Sequence, residues 1–177
     1  THGLIAAGVP VVAGVDLDEA CRHPYEANNP GATFHARDVA RLKAAEVESW
    51  FGSASVRVLA GCAPCQPFSS YAQRYETKGT ERWGLLNHFG RLVKQLEPDI
   101  VTMENVPTVT KHEVFDDFVG TLTRQGYEVW CGVVDSAKYG LPQRRRRTVL
   151  LASRNGPMGL RQPGSSPPKT VRDVLCR

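Results

Sequence analysis

The stretch Leu59-Ala60-Gly61-Cys62-Ala63-Pro64-Cys65-Gln66-Pro67-Phe68-Ser69-Ser70 narrows the choice of fold more than any other. A β-branched apolar run, Val56-Arg57-Val58-Leu59, leads into it and reads as a buried strand. Small residues and prolines then stop any regular structure, so Cys65 falls just beyond the strand's carboxyl end. Open α/β sheets keep their reacting groups at that edge. The residue types alone leave three readings of Cys65. With Cys62 it makes Cys-x-x-Cys, the spacing of a redox pair or half a zinc site, but no second Cys-x-x-Cys or His-x-x-x-His follows to complete four ligands. It could also be a small buried thiol at a strand end. The third reading is a nucleophile, which needs partners elsewhere in the chain.

Two sets of partners follow, each beside its own strand candidate. Asp99-Ile100-Val101-Thr102-Met103 runs into Glu104-Asn105-Val106-Pro107, placing a carboxylate at a second strand's carboxyl end. Gln143-Arg144-Arg145-Arg146-Arg147 leads into the strand Thr148-Val149-Leu150-Leu151-Ala152, which should pair with the alternating run Tyr127 to Val134. Between the first two motifs, Leu85, Leu86, Phe89, Leu92, Val93 and Leu96 keep helical spacing and predict a helix from Leu85 to Leu96 with one apolar face. A thiol, a carboxylate and an arginine cluster could therefore meet at one rim of one sheet.

Pro64-Cys65-Gln66, Glu104-Asn105-Val106 and Gln143-Arg144-Arg145-Arg146-Arg147, in that order, resemble the catalytic motifs of the C5-cytosine-specific DNA methyltransferase family, and the resemblance covers nearly the whole chain. It implies an α/β fold of the Rossmann-like, S-adenosylmethionine-dependent kind, with a mostly parallel sheet and helices on both faces. It also implies S-adenosylmethionine as cofactor and double-stranded DNA with a flipped-out cytosine as substrate, in a bacterial or phage modification methylase. A cognate restriction endonuclease would be a further partner, and the protein is expected to be a monomer.

The resemblance assigns roles residue by residue. Cys65 would add as thiolate to cytosine C6, because C5 is a poor nucleophile until the ring becomes an enamine. Glu104 would share a proton with ring N3 and bond the exocyclic amine. Arg145 would bind the cytosine O2, and Arg147 would brace Glu104 or a phosphate. Four consecutive arginines ordinarily mean a solvated or phosphate-facing surface. On a strand, however, Arg145 and Arg147 share one face while Arg144 and Arg146 share the other, so the second pair, with Gln143, can meet backbone phosphate. Gln66 and Ser69 would contact the backbone or fill space beside the extruded base. For the cofactor, Asp16 would hold the ribose and Leu17 pack on the adenine; Asp38 and Val39 would meet the adenine edge, and Pro64 and Leu85 would touch the cofactor as well. Without the resemblance, Asp16 and Asp38 read as helix N-caps, Leu85 as core, and Glu104 with Asn105 as a capping pair.

At 177 residues the chain is one domain's worth, long enough to bury a core. A net charge of +4 permits a polyanionic partner without demanding one. Five cysteines at irregular spacing, with no long apolar run, suggest free thiols in a reducing cytoplasm and no membrane span. No metal site is expected. Thr1 to Gly8 reads as a helix tail, Val9 to Val15 as a strand ended by Asp16, and Asp18 as the cap of a helix through Asn28. Thr33 to His35 reads as a short strand, Leu42 to Trp50 as a helix, Tyr71 to Arg82 as a long loop, and Val114 to Arg124 as a helix stopped by Gly126.

The departures from the family pattern set further expectations. The Gly-rich first cofactor motif, the target-recognition region and the last two motifs are not in this sequence. Residues 1–154 are therefore expected to be a partial catalytic domain and 155–177 a linker toward a target-recognition domain, in a fragment truncated at both ends. By itself such a fragment is expected to bind the cofactor weakly or not at all and to lack sequence-specific methylation. Two other readings share parts of the evidence. A tRNA cytosine-5 methyltransferase would carry the same three motifs, and a non-catalytic nucleic-acid-binding remnant would explain the missing ends.

Overall fold

Along Ile100-Val101-Thr102-Met103-Glu104-Asn105 burial alternates residue by residue, with Val101, Met103 and Asn105 buried and the others half-buried. A strand lying between a packed face and a more open one has this period of two. The computed structural model describes residues 1–63, 84–164 and 169–175. Within it the chain forms two compact units, Thr1–Ser55 and Val56–Arg177.

The first unit carries helix α1 (His2–Ala6), strand β1 (Ala13–Asp16), a 3-10 turn (Glu19–Cys21), helix α2 (Arg22–Asn28), strand β2 (Thr33–Ala36) and helix α3 (Ala44–Phe51). β1 and β2 pair in parallel, with Asp16 opposite Ala36. β1 is shorter than the apolar run from Val9 suggests, because Pro10 brings no N–H to a ladder. Asp18 does cap the next element, accepting the Ala20 N–H at 2.9 Å, although that element opens as a 3-10 turn. α3 begins two residues later than the apolar spacing predicts. Phe34 and Val47 are buried in this unit, the rings of Tyr25 and Phe34 lie 5.6 Å apart, and His35 stacks on Trp50 at 4.0 Å.

The second unit holds β3 (Val58–Gly61), helix α4 (Gly84–Leu96), β4 (Ile100–Asn105), helix α5 (Glu113–Arg124), β5 (Glu128–Asp135), β6 (Arg146–Ser153) and helix α6 (Val171–Leu175). Its four strands lie in the order β3-β4-β6-β5. β3 and β4, joined through α4, are parallel, while β6 runs antiparallel to both β4 and β5. The arginine strand thus pairs with the alternating run before it, as the sequence predicts. β3 sits two residues beyond the predicted run and is only half-buried: Val56 is 50% exposed and outside the ladder.

The core of this unit is the face of the sheet covered by α4 and α5. Leu86, Phe89 and Val93 of α4 meet Phe115, Phe118 and Leu122 of α5 over Val101, Met103, Leu150 and Ala152. The periodic face from Leu86 to Leu96 is buried as its spacing requires, and Leu85 is half-buried at its margin. A Cβ on Gly61 would lie 2.7 Å from the Phe89 ring, so this strand end must be glycine for α4 to pack so closely. α5 ends where Gly126 takes φ +80°: the Gly126 N–H reaches the Thr123 carbonyl and the Tyr127 N–H the Leu122 carbonyl. α6 opens on a reciprocal cap, with the Thr170 N–H donating to Asp173 and the Asp173 N–H to Thr170 Oγ1.

Polar fastenings hold the amino end of β4, away from Glu104. The buried Tyr127 hydroxyl donates to the Pro98 carbonyl, Asp99 accepts the Arg57 N–H at 2.8 Å, and Arg154 pairs with Glu97 at 2.9 Å. Burial pushes the Tyr127 phenol's pKa up, with Arg154 opposing it in part. A raised folded-state pKa contributes stability that is present below the unfolded value, about 10, and is lost as pH rises through the folded one. Tyr127→Phe should therefore cost about 0.5–1.5 kcal/mol near neutral pH, from the lost hydrogen bond. In urea unfolding the gap between wild type and variant should narrow above about pH 10; a gap independent of pH would contradict this assignment.

Candidate active site

The antiparallel register of β4 and β6 sets Glu104 opposite Val149 and Asn105 opposite Thr148. That brings the arginine run alongside the last residues of β4. Arg147 Nε lies in an ion pair with Glu104 Oε1 at 2.7 Å, and Arg145 Nη2 donates a hydrogen bond to the same oxygen at 3.3 Å. The Glu104 side chain is 34% exposed and that of Arg147 27%. This is a partly desolvated place in which ion pairs count for more than on an open surface. Both side chains reach Glu104, Arg147 from within β6 and Arg145 from the residue just before it. Arg144 and Arg146 are exposed, and neither side chain has a partner among the described residues. Gln143 is exposed too, its carbonyl accepting the Arg145 N–H at 3.0 Å.

The other oxygen of Glu104 has a partner that sequence reasoning missed. Cys62 Sγ donates to Oε2 at 3.0 Å. The neighbouring Asn105 points to the buried face, where its Nδ2 donates to the Ala63 carbonyl at 3.1 Å and its Oδ1 accepts the Val106 N–H at 2.8 Å. Consecutive residues of β4 thus hold the stem of the cysteine loop at residues 62 and 63. Neither caps a helix: the following 3-10 turn, Pro107–Lys111, has Val106 at its N-cap position and no side-chain cap. The spacing of a Cys-x-x-Cys draws attention to metal or redox pairing and away from a single thiol's bond to a distant strand. The available signal was that β3 and β4 are parallel neighbours whose carboxyl ends must lie side by side.

Pro64, Cys65, Gln66, Ser69 and the predicted loop from Tyr71 to Arg82 lie outside the described residues.

In the first unit, Asp16 ends β1 and Asp38 follows β2 by two residues, so both acids lie at the carboxyl ends of a parallel pair. Asp16 Oδ1 accepts the Asp18 N–H at 3.0 Å, which orients the carboxylate and leaves Oδ2 for another donor. Leu17 beside it is 73% exposed. Asp38 does not cap α3, whose N-cap position is Lys43; it folds back on its own loop, accepting the Ala40 N–H at 2.9 Å. Val39 is half-buried in that loop. Burial and the nearby Asp18 and Asp16 carboxylates push the Cys21 thiol's pKa up.

A parallel pair ending in acids, and a mixed sheet that gathers a glutamate, two arginines and the stem of a cysteine loop, define a methyltransferase-type α/β scaffold. The family model for C-5 cytosine-specific DNA methylases matches residues 1–173. The type II methylase M.HgiDII of Herpetosiphon aurantiacus is 41% identical over 99% of this chain and 50% of its own length. The type II methyltransferase M.XorII of Xanthomonas oryzae pv. oryzae is 32% identical over 87% of the chain and 38% of its own length. Among solved structures, a prophage-encoded E. coli protein described as a DNA modification methyltransferase superposes with a TM-score of 0.83 at 24% identity, covering 99% of this chain and 50% of that one. A Spodoptera frugiperda DNMT2 variant gives 0.70 at 22%, over 87% and 46%. The chain belongs to the C-5 cytosine-specific DNA methylase family. It spans about half the length of the curated relatives it matches. Among the described residues no helix is long and apolar enough to cross a membrane.

The structure gives Asn105 a role as a buried tether of the cysteine-loop stem. Asn105→Ala should lower stability by about 1–3 kcal/mol, because it removes a buried amide and leaves the Ala63 carbonyl without its donor. Asn105→Asp should not restore it, since a carboxylate cannot donate. Urea melts of the three proteins check this; an Asp variant as stable as wild type would contradict it.

Proposed function

We propose that the polypeptide carrying these residues methylates cytosine C5 in DNA, with Cys65 as nucleophile and Glu104 as the carboxyl that shares a proton with the ring. The observation that carries this reading is the Glu104 carboxylate held by Arg147 and Arg145 at the rim where the Cys65 loop begins. In outline, the Cys65 thiolate forms a bond to cytosine C6 as the C5–C6 double bond gives its electrons toward N3. Glu104 shares a proton there, so that charge does not accumulate on the ring. Arg145 donates to the cytosine O2 and Arg147 keeps Glu104 in place. S-adenosylmethionine, when bound, supplies the electrophilic methyl group that C5 takes up. Loss of the C5 proton to a solvent base and cleavage of the S–C6 bond return the Cys65 thiolate and the 5-methylated base.

The chain's own residues fit that cofactor: Asp16 offers a carboxylate oxygen to ribose hydroxyls, Leu17 an exposed apolar side chain to the adenine face, and Asp38 and Val39 a loop for its edge. Pro64 and Leu85 are the further cofactor positions that the resemblance implies. The target cytosine must leave the stack for any of these groups to reach it, with Gln66 and Ser69 beside the extruded base. Gln143, Arg144 and Arg146 carry donors suited to backbone phosphate, the last two exposed and without ion-pair partners among the described residues. Residues 1–154 would form the catalytic part and 155–177 the connector to a target-recognition region; the type II names of the relatives support a restriction-modification setting.

The test is methyl transfer from labelled S-adenosylmethionine by the native polypeptide that carries this chain, with DNA and tRNA offered separately. The expected product is 5-methylcytosine in DNA. Cys65→Ser should abolish it, and Glu104→Gln should lower kcat by about 10²–10⁴. Label in tRNA alone, or transfer that survives Cys65→Ser, would contradict the proposal.

A further inference from the structure

A carboxylate has about four lone-pair positions, two on each oxygen. In Glu104, Oε1 accepts a hydrogen bond from Arg145 Nη2 at 3.3 Å and sits in an ion pair with Arg147 Nε at 2.7 Å. On Oε2 the Cys62 thiol donates, at 3.0 Å, and no other donor reaches that oxygen among the described residues. That leaves a second acceptor position on the oxygen that the thiol holds. Two guanidinium groups on a single oxygen fix that oxygen but not the plane of the carboxyl, which can still turn about the Oε1 contacts. The thiol supplies the second point that sets the plane. It does so without adding a third positive charge, which would make the carboxyl a poorer proton acceptor.

From this we infer that Cys62 is a positioning residue for the reaction: its thiol holds Glu104 Oε2 so that the remaining lone pair faces the cytosine ring. The backbone assists, since Asn105 holds the carbonyl of the next residue, Ala63, from the buried face. Cys62 is thereby fixed relative to β4 by its neighbour as well as by Glu104. The inference rests on the proposed proton-sharing role of Glu104, because a carboxyl with no partner in the ring would gain nothing from orientation. It gives Cys62 a task separate from metal binding and from pairing with Cys65.

The experiment is a double-mutant cycle on single-turnover methyl transfer, with the native polypeptide, saturating DNA and saturating S-adenosylmethionine. Cys62→Ala should slow transfer about tenfold, the effect of a slightly misplaced catalytic group, with unchanged affinity for DNA and cofactor. Cys62→Ser, whose hydroxyl can donate to the same oxygen, should recover to within about threefold of wild type. In a Glu104→Gln background, Cys62→Ala should have no further effect beyond about twofold, because the two residues act as one unit. Full activity in Cys62→Ala, equal losses in the Ala and Ser variants, or an undiminished tenfold loss in the Glu104→Gln background would each overturn the inference while leaving the proposed function standing. Wild-type transfer that survives both Cys65→Ser and Glu104→Gln would overturn both.

Discussion

The contact on which the candidate site depends is the Glu104 carboxylate held between the Arg147 and Arg145 guanidinium groups. It joins two strands whose positions in the sequence are more than forty residues apart, and it forms only if β6 runs antiparallel to β4 in one register. A one-residue slip would turn Arg147 to the buried face and Thr148 to the open one. The packed side of the sheet opposes such a slip. Leu150 and Ala152 are fully buried under α4 and α5, and their neighbours Val149 and Leu151 would have to replace them. Hydrophobic packing on one face thus fixes electrostatics on the other.

The same division of labour runs through the carboxyl ends of β3 and β4. Gly61 has no side chain because the Phe89 ring of α4 occupies that space. The tight packing brings the loop stem against β4, where Asn105 on the buried side and Glu104 on the open side both bind it. At the opposite end of β4 a second set of polar contacts, from Tyr127, Asp99 and the Glu97–Arg154 pair, closes the sheet away from the chemistry. The strand is held at both ends, and the half-buried carboxylate has little freedom.

How much of this could be read from residues alone depended on whether the information was local. The period of Leu85 to Leu96 predicted α4 to within one residue, since a helical face is written in consecutive turns. The alternation in Tyr127 to Val134 and the arginine strand likewise predicted their pairing. Strand limits were less legible. Val56 has a strand former's side chain but lies outside the ladder, and β1 begins only at Ala13, although the Val12 carbonyl accepts the Thr33 N–H. Asp38 has a capping residue's chemistry but spends it on its own loop. The thiol–carboxylate contact of Cys62 and Glu104 was invisible because it joins residues forty-two positions apart through parallel strands, and nothing in either local sequence marks it. Motif order supplied what local pattern could not: it tied Cys65, Glu104 and the arginines to a common task before any distance was known.

The account stands or falls on covalent addition by Cys65. The native polypeptide that carries this chain would be incubated with S-adenosylmethionine and mixed-sequence DNA containing 5-fluorocytosine, whose fluorine blocks the final elimination. Peptide mass mapping would then locate any attachment. The account predicts a stable protein–DNA adduct on the peptide that contains Cys65, carrying the transferred methyl group. Methylation of ordinary cytosine by the same preparation without any adduct on that peptide would contradict it.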